Sequence, residues 1–118
     1  MMDEDILVTV KKMLGLAEDY GPFDTDIIVA INSAFGTLLQ LGAGPAEGFH
    51  IDGYGAKWSD FTNDERTIRL IKEYVYLRAR LVFDLPSTSF AINALQDRAT
   101  ELGWRIMNEA EYEKVVET

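Results

Sequence analysis

The stretch from about Thr62 to Asp84 constrains this chain more than any other. On a helical wheel its apolar arc is wide, taking in Ile68, Leu70, Ile71, Tyr74, Val75, Leu77, Ala79, Leu81 and Val82, with charge confined mainly to Arg69, Glu73, Arg80 and Asp84. A helix apolar over that much of its circumference belongs at the centre of a bundle, packed on two or more sides. Fully helical, it reaches roughly 33 Å at about 1.5 Å per residue. Thr62-Asn63-Asp64-Glu65 offers a capping box at its start, and Leu85-Pro86 ends it.

Three more helices follow from apolar periodicity. The first is expected from about Glu4 to Leu14, with Ile6, Val10 and Met13 on one face, Leu7 and Leu14 beside them, and Gly15 as the stop. Tyr20-Gly21-Pro22 reads as a turn, after which Asp24 stands where an N-cap belongs. The second helix carries Ile27, Ile31, Ala34, Phe35, Leu38 and Leu41 at spacings of three and four. Ser87 or Thr88 can cap the last, whose stripe is Ile92, Leu95, Ala99, Leu102, Ile106 and Ala110; its acidic end, residues 109–118, is expected to fray.

Residues 42–60 differ in character. Five of the nine glycines fall between Gly42 and Gly55 alongside Pro45, and Phe49, Ile51, Tyr54 and Trp58 interrupt them. Phe49-His50-Ile51 alternates and Asp52-Gly53 is a turn signal, so this is a long loop or contains a short hairpin. Long aromatic loops in compact domains generally dock on something. The fold expected is all-α, a single domain over residues 1–118, a small bundle of about four helices with a long Gly-rich loop or short hairpin at 42–60.

Composition removes several function classes. The 118 residues are 47% apolar, ample for a core at a size where about two-thirds of the unfolded surface is buried. No cysteine is present, which excludes disulfides, thiolate metal sites and cysteine nucleophiles. A net charge of −9 argues against a general binder of DNA or anionic membranes. The run from Ile27 to Ala46 lacks charge, yet its polar residues and glycines argue against a membrane span. Met1-Met2-Asp3-Glu4-Asp5 is acidic where a secretory signal is basic, so the chain is expected to stay in the cytoplasm. Gly42-Ala43-Gly44-Pro45 and Gly55-Ala56-Lys57-Trp58 lack the Gly-Lys-Ser/Thr of a phosphate loop. His50 and Asp52 make two metal ligands without a third, and spacing reveals no catalytic pair. No enzyme, cofactor or metal is expected.

Three features exceed the needs of a lone bundle. Arg78 falls inside the apolar arc of the third helix, where it must pair with a carboxylate such as Asp97 or Glu101, or point into an interface. Trp104 lies opposite the apolar stripe of the last helix, roughly in line with Phe90, Asp97 and Glu101; either its neighbours cover it or it marks a contact surface. Val29, Asn32, Ser33, Gly36 and Gln40 give the second helix an outer face of small or uncharged residues that can admit a neighbour. Charge is also polarised: residues 1–65 hold twelve acids and three bases, whereas 66–105 hold four acids and seven bases. Unlike surfaces favour head-to-tail association, unless they neutralise each other within one subunit.

Several runs, taken in order, resemble a known family: Phe23-Asp24-Thr25-Asp26-Ile27-Ile28, Ile31-Asn32-Ser33-Ala34-Phe35, Gln40-Leu41-Gly42-Ala43-Gly44-Pro45, Gly48-Phe49, Trp58-Ser59-Asp60-Phe61, the segment Tyr74 to Asp84, Pro86, Ser89-Phe90, and Glu101-Leu102-Gly103-Trp104-Arg105. Together they are similar to the small head-tail connector (head completion, or adaptor) proteins of long-tailed bacteriophages and prophages. The resemblance implies a structural virion protein of the neck, made in the host cytoplasm, whose copies form a dodecameric or similar ring between the portal and a stopper or tail component. DNA would pass through without sequence-specific binding. The resemblance makes Phe49, Ile51, Tyr54 and Trp58 docking candidates, and Trp104 and Arg105 candidates for helix packing or subunit contacts. The alternative from a different class is an acidic regulatory or inhibitory module that binds a basic protein partner through residues 3–26.

Overall fold

The computed structural model describes the backbone of residues 4–117 and side chains through Tyr112. Among the described residues there are five helices: α1 (Ile6–Met13), α2 (Asp24–Gln40), α3 (Trp58–Phe61), α4 (Glu65–Phe83) and α5 (Ser89–Glu117). The bundle is all-α, as its periodicities require. The wide apolar arc places α4 at the centre, packed on α5, α2 and, over a shorter stretch, α1. Its Ile68, Ile71, Tyr74 and Val75 meet Ile6, Leu7 and Val10 of α1, Ile27, Ile31, Phe35 and Leu38 of α2, and Ala99, Leu102 and Ile106 of α5 in one buried core. Toward its C-terminal end the arc outruns its cover, leaving Val82 66% exposed.

Helix ends follow local chemistry, with two departures from expectation. Both α1 and α2 stop in the same way: Gly15 and Gly42 each donate to the carbonyl three residues back, and Leu16 and Ala43 each donate five back, to Lys11 and Leu38. The Thr88 hydroxyl accepts from Ala91 N at 3.2 Å and caps α5 as expected. The capping box at Thr62 is not formed. Asp64 is the N-cap of α4 instead, accepting from Arg66 N at 2.8 Å, while the Thr62 hydroxyl accepts from Asp64 N. Nor does Asp24 cap α2: the cap is Phe23, without a side-chain bond, because the Asp24 carboxylate is taken by Lys11. Helical backbone in α5 continues through Glu117, past the point where fraying was expected; the side chains beyond Tyr112 lie outside the described residues.

The hairpin alternative for residues 42–60 is not realised. The loop ends in the single turn of α3, whose Trp58 and Phe61 are buried, and among the described residues the one bridge pairs Lys57 with Asp5 rather than with the loop itself. Ile6 N donates to Ala56 O at 2.9 Å and Trp58 N to Glu4 O at 3.3 Å, so the loop's return strand is stitched to the start of α1. At Gly44 the backbone is left-handed, and a Cβ would run into the Phe61 ring, which explains a glycine at that point.

Candidate functional site

A groove of about 750 Å³ runs between the C-terminal half of α2, the middle of α4 and α5. Small residues on α5, Ala99, Thr100 and Gly103, give it depth, and Tyr74, Arg78 and Trp104 give it chemistry. Arg78 is half-buried. It donates from Nη1 to the Tyr74 hydroxyl at 3.2 Å and lies 5.9 Å from the centre of that ring. The expected pairing with Asp97 or Glu101 is absent: Glu101 takes Arg98 at 3.0 Å and Arg105 at 2.8 Å, and among the described residues Arg78 forms no ion pair. Asp97 lines the groove on its exposed side. Trp104 stands 60% exposed, uncovered by the loop or by α4, and Arg105 is exposed beside it. A half-buried guanidinium next to an open indole is equipped to recognise a carboxylate-bearing surface rather than to perform a reaction.

A second, shallower cleft of about 450 Å³ continues along α2 and α4, lined by Phe23, Asp26, Val29, Val82 and Phe83. Val29 is 63% exposed, and Phe90, at the start of α5, is 86% exposed. On the outer face of α2, Val29, Ser33, Gly36 and Gln40 are uncovered. Asn32, expected with them, instead turns to the loop: it donates from Nδ2 to Ile51 O at 2.9 Å and accepts from Ile51 N at 2.8 Å. Sequence reasoning missed Val82 and Phe23 as surface residues, because both lie in apolar patterns that are satisfied nearby.

The loop's aromatic residues mostly face the core of the chain. Trp58 is fully buried, with its indole Nε1 donating to the Thr9 hydroxyl at 3.1 Å, and Ile51 is buried too. Phe49 packs edge-on against Phe35 and Phe61 at centroid distances of 4.9 and 5.4 Å. For Trp58 and Ile51 the docking expectation gives way to a core role, because α1, α2 and α3 already supply the apolar cover such side chains seek. Phe49 is half-buried and Tyr54 exposed, so these two retain some outward surface.

Tyr54 belongs to a polar knot that sequence reasoning missed. Lys11 has no exposed surface; its Nζ pairs with Asp24 Oδ1 at 2.8 Å and donates to the Tyr54 hydroxyl at 2.7 Å and to Glu18 O at 2.9 Å. The Tyr54 hydroxyl, with one proton to give, lies 2.9 Å from Asp24 Oδ2 and 3.0 Å from Glu18 O. The Lys11 hydrogen bond holds the Asp24 carboxyl below its ordinary pKa, against burial and with help from Tyr54. Burial pushes Lys11 down, but its bonds to Asp24 and Tyr54 together outweigh this and hold it above the ordinary value. The available signal was that Lys11 lies four residues after Leu7 and three before Leu14, on their face of α1.

His50 and Asp52 are both exposed and 3.8 Å apart. Among the described residues no group of three or more potential ligands gathers around a metal position, and no helix is long and apolar enough to cross a membrane. Comparison with curated proteins and with solved structures gave no match. The model of one family, described as phage connector protein, matches residues 6–113, a span that takes in α1 to α4, most of α5, the loop and the groove. The chain with the Arg78–Trp104 groove therefore belongs to the phage connector protein family.

Proposed function

We propose that this chain is the ring-forming head-tail connector, or adaptor, of a long-tailed phage or prophage. Its copies sit in the virion neck, bind the portal on one side and a stopper or tail component on the other, and let DNA pass without sequence-specific contact. The observation that carries this reading, beyond family membership, is the uncovered face shared by α2, α4 and α5, where Trp104 stays exposed at the groove that contains Arg78 and Val29 and Val82 stay exposed at the second cleft. A solitary subunit gains nothing from such a surface, whereas a repeating one covers it at every interface. The excess of acid fits a duct, since like charge repels phosphate and lets DNA slide.

The acidic-module alternative finds less support, because two of the acids it relies on are already engaged. Asp5 caps α1 and accepts from Gly55 N, and Asp24 is held by Lys11. Electron microscopy and light scattering of the concentrated chain, alone and mixed with the portal of its phage, test the connector reading. Ring-shaped particles with an axial hole are expected in at least one of the two samples. A chain that stays monomeric and unbound in both overturns the proposal.

A further inference from the structure

The two sides of α2 carry unlike surfaces. At about 100° per residue, Thr37 and Leu41, which line the Arg78 groove, lie about half a turn around the helix from Asn32, Phe35 and Leu39, which face the loop. The loop is therefore fastened to the flank of the subunit away from the groove. Between Gly42 and Gly55 it contains no Lys or Arg; its outward side chains include Glu47, His50 and Asp52. The charged lining of the groove is Arg78, which forms no ion pair among the described residues, and Asp97 on its exposed side. Two complementary surfaces on opposite flanks cannot meet within one molecule, but they can meet between successive copies.

From this we infer that the Arg78 groove receives the acidic 47–52 loop of a neighbouring copy, a contact that rests on the ring reading above. Asp52 or Glu47 of the incoming loop supplies the carboxylate that Arg78 lacks, His50 faces the groove's own Asp97, and Trp104 closes over the junction. An acid beside a histidine on the loop matches base and acid in the groove, so a docked loop satisfies both. Such a contact is heterologous: each copy uses its groove toward one neighbour and its loop toward the other, as closure into a ring demands.

A charge exchange on the full chain, followed by sedimentation velocity, tests this. Arg78→Glu alone, and Glu47→Arg with Asp52→Arg alone, should each weaken self-association by about tenfold or more. An equimolar mixture of the two variants should recover it, because each reversed loop meets a reversed groove and each native loop a native groove. Circular dichroism and melting confirm that the variants fold, and Arg78→Gln is read alongside as a milder removal of the charge. Assembly of either variant at wild-type strength, or no recovery on mixing folded variants, overturns the contact and leaves the ring reading intact. Loss of portal binding with self-association preserved in Arg78→Glu gives the groove to the portal and overturns it equally. A wild type that never assembles, alone or with portal, removes the ring reading and this contact with it.

Discussion

At the scale of single residues, the buried Lys11 ammonium decides more than its position in a short helix suggests. It is shielded from solvent and satisfied by Asp24, Tyr54 and the Glu18 carbonyl, so it ties α1, the α1–α2 turn and the loop at one point. Removing one partner of such a pair leaves an uncompensated charge. Asp24→Asn should therefore cost about 3 kcal/mol in urea unfolding, whereas Lys11→Met should cost less, because the Asp24 side chain is partly exposed and can turn to water. The same pair sets a pH profile. Asp24 is more acidic folded than unfolded, so its contribution is complete above about pH 4 and disappears as pH falls through its depressed folded value. Lys11 is more basic folded, so its contribution is complete below about pH 10 and disappears as pH rises through its elevated folded value. Melting temperature against pH should lose part of both limbs in Asp24→Asn. Little of this was legible beforehand. A lysine's burial depends on a carboxylate 13 residues away and a tyrosine 43 residues away, and helical periodicity does not report partners from other elements.

At the scale of elements, α1, α2, α4 and α5 were legible, while α3 and the loop that leads into it were not. Stripes at three and four residues place α1, α2, α4 and α5, and Gly15 and Gly42 mark true stops, because those signals are local to the backbone they describe. The start of α4 was misplaced by two residues because Thr62 and Asp64 are both competent caps, and Thr62 is spent closing α3, its hydroxyl accepting from Asp64 N. The loop takes its shape from Asn32, which satisfies both backbone groups of Ile51, and from Phe35, against which Phe49 packs edge-on. Asn32→Ala should leave Ile51 N–H and C=O without partners and cost about 2 kcal/mol. Hydrogen exchange should report this as faster exchange of the Ile51 amide, with the helix amides of α4 little changed.

At the scale of the whole molecule, the family and the all-α class were legible from many weak motifs in order, while the working surface was only partly so. Arg78 and Trp104 stood out because each breaks the pattern of its own helix, and the structure brings them into one groove. Trp58 and Ile51 fit the loop's pattern equally well as outward or inward residues, and only the tertiary fold turns them into the core. The contact proposed between Arg78 and the acidic loop is electrostatic, so subunit association through it should weaken with salt. Raising ionic strength from about 0.05 to 0.5 M in sedimentation experiments should move the wild type toward smaller species, more than it moves Arg78→Gln. The loop's anchoring has a kinetic meaning as well. Pinned at one shoulder by Asn32 and at the other by Tyr54, it meets its surroundings already shaped, so little of its chain entropy is left to lose on docking. In the proposed ring, subunits built this way would add at a rate set by collision and orientation rather than by rearrangement.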